Sequence, residues 1–126
     1  MKKFKTLIRK ADNIFSRYIR TKYSDNLGLV SCVTCPIKKP IKEMQAGHYI
    51  SRDIKNGLFL RYSELNVHPQ CYGCNIKKSG AKEVYAIYLI KKYGMKVLEQ
   101  LDEMRNEKIE DNKLFLESII TTYTTI

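Results

Sequence analysis

Four cysteines stand in two matched pairs, Cys32-Val33-Thr34-Cys35 and Cys71-Tyr72-Gly73-Cys74, and the chain has no others. A Cys-x-x-Cys turn aims two sulfurs at one ion, and two such turns complete the tetrahedral thiolate shell of a structural zinc site. A four-thiolate zinc is closed, so it stiffens the chain and takes no part in a reaction. Gly73 suits the tight turn of the second pair. Both histidines lie between the pairs: His48 follows Gly47, and His68 follows Asn66 by two residues. Asn75 comes directly after Cys74. Phosphodiester hydrolysis needs a base for water, a cation at the phosphate and help for the leaving oxygen. His48 is suited to be the base. Asn75 offers a neutral oxygen to a hard divalent ion, Mg2+ or Mn2+, which keeps several waters and few protein ligands.

The background charge suits a polyanionic partner. The chain has 126 residues, with 23 basic and 13 acidic side chains, for a formal charge of +10. Residues 1–98 carry a balance of +14 and residues 99–126 a balance of −4. A basic body with an acidic tail points to nucleic acid. Lys5, Arg9 and Lys10 interrupt any apolar signal-peptide core, and no apolar run is long enough to span a membrane. A reducing cytoplasm is therefore expected, and there paired cysteines are read as metal ligands rather than disulfides.

The elements that must position these residues follow from periodicity. One domain, 1–126, is expected in three parts: a basic amphipathic helix (1–26), a zinc-bound core (27–94) and an acidic helical extension (95–126). Phe4, Leu7, Ile8, Ala11, Ile14, Phe15, Tyr18 and Ile19 recur at helical spacing. Arg9, Arg17 and Arg20 lie on the opposite, phosphate-facing side. Strands are expected at Met44–Ile50, Leu58–Tyr62 and Asn66–Gln70, with a loop over Pro36–Pro40. Asn75 is expected to start or closely precede a helix. A helix over Gly80–Tyr93, apolar almost all round and expected to be the most buried, is capped by Gly94. Two further helices span Met95–Lys108 and Asn112–Tyr123.

The order Cys-x-x-Cys, Gly-His, Asn, Cys-x-x-Cys-Asn resembles the HNH, or His-Me finger, nucleases. The run Ala46-Gly47-His48-Tyr49-Ile50-Ser51-Arg52, then Leu60-Arg61-Tyr62, Asn66-Val67-His68-Pro69-Gln70-Cys71, Cys74-Asn75 and Ser79-Gly80 is closer to the NinG (Rap) recombination endonucleases of lambda-like phages. The resemblance covers about residues 10–95. It implies an α+β fold: a zinc-stabilised ββα-metal, treble-clef-like core flanked by helices. It implies His48 as general base, Asn75 as ligand of the catalytic ion, Asn66 as the brace of the His48 hairpin, and cleavage of D-loops, Holliday or Y junctions. Many HNH nucleases carry an acidic ligand just before the base, where this chain has Gly47. His68, on the Asn66 strand face, is the favoured extra ligand, ahead of Asp53 and Glu64.

Arg52 and Arg61 are expected at phosphate, where a guanidinium clamps two oxygens. Lys77, Lys78 and Lys82 suit backbone contacts that position DNA without reading bases. A homodimer joined through the C-terminal helices would suit symmetric junction cleavage. Phage or host recombination proteins are the other expected partners. The alternative reading is a zinc-stabilised DNA- or RNA-binding module without catalysis.

Overall fold

The computed structural model describes residues 2–124. Helix α1 (Lys2–Lys22) leads into two small antiparallel sheets: β1 (Leu29–Ser31) pairs with β2 (Lys38–Pro40), and β3 (Gln45–His48) with β4 (Val67–Gln70). A one-turn helix α2 (Leu58–Arg61) lies between β3 and β4, and α3 (Lys82–Tyr93), α4 (Val97–Glu103) and α5 (Asn112–Thr124) follow. The fold is mixed α+β. Among the described residues, no helix is long and apolar enough to cross a membrane.

The apolar stripe of α1 does what its period dictates. Ala11, Phe15 and Ile19 recur every four residues, and all are buried against Leu58, Tyr62 and Val67 and against Leu116 and Ile119 of α5. A second cluster joins Ile50 and Leu60 to Tyr85, Leu89, Val97 and Leu101. The third holds Val30 and Met44 around three of the cysteines. Burying these faces against one another is the main favourable term in holding so small a chain together.

Four expectations need correction. Leu58–Tyr62 is not a strand: the segment forms α2, with the Tyr62 amide bonded to the Leu58 carbonyl at 3.3 Å. Alternate residues Leu58, Leu60 and Tyr62 are indeed buried, which mimics strand alternation. β3 instead pairs directly with β4, and Gly57 at φ +86° turns the chain into a helical start. Pro36–Pro40 is not all loop, since Lys38–Pro40 pairs with β1 over the first cysteine turn. Asn75 sits within a wide turn, Gly73–Lys77, closed by the Lys78 amide on the Gly73 carbonyl at 2.9 Å. Finally, α3 buries Tyr85 and Leu89 but exposes Val84 and Ile87, so α1 rather than α3 has the larger buried face.

Candidate metal centre and polar cavity

The two cysteine turns meet. Cys32, Cys35, Cys71 and Cys74 place their sulfurs within 4.8 Å of one another, and the Cys35 and Cys71 sulfurs are 3.6 Å apart. A zinc–sulfur bond of about 2.3 Å in a tetrahedron sets sulfurs about 3.8 Å apart, so the cluster fits a zinc ion. Backbone amides support the sulfurs: the Cys71 N–H donates to Cys32 Sγ at 3.3 Å and the Cys74 N–H to Cys71 Sγ at 3.4 Å. Burial raises the Cys32 thiol, but hydrogen bonds from Thr34 and the Cys71 amide outweigh it and bring the pKa down to about 7. Burial pushes the Cys35 and Cys74 thiols up instead, so a bound zinc would have to displace their protons.

Beside it lies an open cavity of about 750 Å3. His48, at the end of β3, and Asn75 both line it, as do Arg20, Arg52, Arg61 and Lys82. His48 Nε2 is 2.9 Å from the Arg61 carbonyl oxygen. A carbonyl only accepts, so Nε2 carries the proton in the neutral ring and Nδ1 is left as an acceptor. Burial, reinforced by the charges of Arg52 and Arg61, lowers the His48 pKa to about 4. The imidazole is neutral at pH 7 and able to take a proton. Asn75 Nδ2 donates to Gln45 Oε1 at 2.7 Å, which fixes the amide and leaves Oδ1 as its acceptor.

Asn66 lies behind this wall, fully buried. Its Oδ1 accepts from the Ile50 amide at 2.8 Å, and its Nδ2 donates to the Ile50 and Leu60 carbonyls at 2.9 and 3.0 Å. It thus ties the segment after His48 to α2. Lys82 also serves that segment, donating through Nζ to the His48 and Tyr49 carbonyls. The cavity lining is cationic: Arg20, Lys42, Arg52, Arg61 and Lys82 face it, against Asp12 as the only carboxylate among the described lining residues.

His68 is the clearest departure from the sequence reading. It is fully buried, with Nδ1 3.1 Å from the Tyr85 hydroxyl and Nε2 2.7 Å from the Tyr93 hydroxyl. Both ring nitrogens are engaged, so His68 organises an aromatic cluster and is not a ligand in the cavity. Glu64 and Asp53 are also absent from the cavity lining. Glu64 accepts from Lys22, Tyr18 and Tyr123, and Asp53 accepts from the Lys55 amide to cap a turn. Arg61 spends its fork on Asp12, at 2.9 and 2.7 Å, and on the Arg52 carbonyl at 2.7 Å. It is held as an ion pair rather than offered to a ligand, whereas the Arg52 side chain is 61% exposed. Arg20 is anchored through Ser16 and the Ile41 carbonyl, and Arg17 lines a shallower hollow beside it. Arg9, Lys77 and Lys78 are exposed and stand outside the cavity lining.

Asp12 and Gln45 are site residues that the sequence reading passed over. The available signal for Asp12 was its isolation: it is the lone acidic residue of α1. Gln45 carried no signal, because its role comes from accepting the Asn75 amide, 30 residues away in the chain.

Gly47 answers the question posed by its position. A Cβ built there would lie 1.9 Å from Gln70 Oε1. The Gln70 side chain fills the space that an acidic ligand would need. Its Nε2 donates to the Gly80 carbonyl at 2.8 Å and to Thr34 Oγ1 at 3.1 Å, while Oε1 is buried without a partner.

The fold and site define a small mixed α+β protein with a four-cysteine centre fit for zinc and a cationic cavity against it. Comparison with known proteins gives the family. Residues 1–124 match the family model described as "Bacteriophage Lambda NinG protein", and the chain belongs to that family. It is 29% identical over 99 residues to "Protein ninG" of Escherichia phage lambda, covering 79% of this chain and 45% of that protein. Against "Protein ninG" of Salmonella phage P22 it is 30% identical over 95 residues, covering 75% and 43%. The chain thus matches less than half the length of these curated relatives. No solved structure gives a significant match.

Proposed function

We propose that this protein is a metal-dependent, structure-selective DNA endonuclease that hydrolyses phosphodiester bonds in branched recombination intermediates. The observation that carries the reading is His48: its Nε2 is fixed on the Arg61 carbonyl and its ring is held neutral, in a cationic cavity shared with Asn75. A water placed at Nδ1 would give up its proton there as it attacks phosphorus. Arg52, the exposed guanidinium of the cavity, would hold a non-bridging phosphate oxygen. Arg20 and Arg17 would carry the neighbouring backbone. The antiparallel β3–β4 pair followed by the Asn75 turn is compatible with a ββα-metal core, which supports the reading.

The donor set fits a magnesium or manganese ion held sparingly. Asn75 Oδ1 is a protein oxygen open to it, whereas Asp12 is committed to Arg61, Tyr62 and Arg52. When bound, such an ion neutralises the phosphate and stabilises the leaving oxygen. A setting in the host cytoplasm, among phage or host recombination proteins, belongs to the same proposal.

The test uses labelled four-way and Y-shaped DNA with Mg2+ or Mn2+, then with EDTA. Metal-dependent nicking that H48A abolishes while binding persists supports the nuclease. Binding without cleavage in either metal would leave a zinc-stabilised nucleic-acid-binding module instead.

A further inference from the structure

We infer that Asp12, on the first helix, is a positioning residue that sets the tautomer and orientation of His48; the inference rests on the reading of His48 as the base. Helix α2 carries the acceptor for His48. It is a single turn of four residues, too short to hold its own shape, and its last carbonyls have no partner within the helix. The Arg61 carbonyl at that end accepts the His48 Nε2 proton at 2.9 Å. The ring of His48 is therefore only as well placed as the end of α2.

Asn66 holds the Leu60 carbonyl, and Asp12 ties down the two residues that follow it. Its Oδ1 accepts from Arg61 Nε at 2.9 Å and from the Tyr62 hydroxyl at 2.9 Å, and its Oδ2 accepts from Arg61 Nη2 at 2.7 Å. Arg61 is the last residue of α2 and Tyr62 its cap. One carboxylate thus grips two successive residues, through three bonds of good geometry, in a half-buried setting. The third arm of the Arg61 fork donates to the Arg52 carbonyl at 2.7 Å, and Arg52 Nη1 lies 3.5 Å from Asp12 Oδ2. The same carboxylate therefore also gathers the cavity's exposed arginine. Asp12 sits 49 residues from Arg61 in sequence, so the grip joins α1 to the site wall.

Without Asp12, the Arg61 guanidinium keeps only its bond to the Arg52 carbonyl, the Arg61–Tyr62 end of α2 gains freedom to shift, and the acceptor of His48 is less firmly fixed. The proton then distributes between Nε2 and Nδ1, and a ring protonated at Nδ1 cannot serve as base toward the cavity.

The experiment compares wild type with D12A, D12N and D12E. Long-range 1H–15N spectra of the two imidazoles report the tautomers directly, with H48A assigning the signals. Wild type is expected to show His48 protonated at Nε2. D12A and D12N are expected to show a tautomer mixture, with D12E restoring the wild-type signal at least in part. Cleavage of four-way DNA is expected to fall on the order of 10- to 100-fold in kcat for D12A, with KM nearly unchanged. If D12A fails to fold, D12N, which keeps the side-chain shape, carries the comparison. An unchanged His48 tautomer in the folded variants overturns the inference, whatever happens to cleavage. If wild type itself does not cleave, the nuclease reading fails, but the tautomer comparison still decides the role of Asp12.

Discussion

Replacing Gly47 by alanine is expected to cost about 2 kcal/mol of stability, because Gln70 approaches it so closely. Gly47 has no left-handed backbone angle, so the substitution strains nothing by itself. The new Cβ would meet Gln70 Oε1 at 1.9 Å, Cδ at 2.6 Å and Cγ at 2.9 Å. Rotating the terminal amide cannot relieve three such contacts, so the whole side chain must leave. It then abandons the bonds to the Gly80 carbonyl and Thr34 Oγ1. Each buried group left without a partner costs about 1–3 kcal/mol. Relief of the orphaned Oε1 once the amide reaches water offsets part of this, leaving the figure of about 2 kcal/mol. The assay is urea unfolding of G47A, Q70A and the double variant at one fixed free-zinc concentration, since bound metal shifts apparent stability. Q70A removes the obstacle, so G47A in that background is expected to cost less than about 0.5 kcal/mol, a coupling that the cycle measures. Equal costs of G47A in both backgrounds would refute the reasoning, because the strain would then come from somewhere other than Gln70.

Further outcomes follow from the same geometry. The protein is expected to release one zinc per chain when its thiols are modified, and C71S to lose that metal together with the amide dispersion of the Val30–Met44 cluster; zinc-free native protein would contradict this. N66A strips partners from the Ile50 amide and from the Ile50 and Leu60 carbonyls, and is expected to cost about 3 kcal/mol in urea unfolding. In an NMR titration His48 is expected to protonate near pH 4 and His68 near pH 3, each lowered first by burial. Unfolded histidine protonates near 6.5, so the unfolded state binds protons first. The histidine contribution to stability is thus complete above about pH 6.5 and is lost as pH falls to about 4 for His48 and about 3 for His68; a midpoint near 6.5 for either ring would contradict the packing.

The parts of the site that announced themselves in the sequence did so through residue type at fixed spacing. The cysteine pairs, His48, Asn66 and Asn75 fall in or beside the centre because chemistry limits what those positions can be. The α1 stripe was legible because a helix with one wet face has a period. What was hidden depends on contacts between distant segments. The alternation Leu58, Leu60, Tyr62 fits a strand or a helical turn equally, and only the β3–β4 pairing decides between them. His68 has the right chemistry for a ligand, yet Tyr85 and Tyr93 consume both nitrogens from 17 and 25 residues away. Asp12 had the same difficulty in reverse: an unremarked carboxylate gains its role from Arg61 and Tyr62 across the fold.

The packing of α1 on α5 has a consequence for how the molecule is made. Phe15 and Ile19 are buried in part by Leu116 and Ile119, about a hundred residues later in the chain. Glu64 joins the two helices again by accepting from Tyr18 of α1 and Tyr123 of α5. On a ribosome α1 emerges about a hundred residues ahead of its lid, so its apolar stripe waits uncovered while the segment between them is made. Such long-range closure is slow and leaves the chain exposed to association while it waits. The helix that carries Asp12 therefore reaches its final seat only after α5 has left the ribosome, so the cavity wall is completed later than the segments that line it.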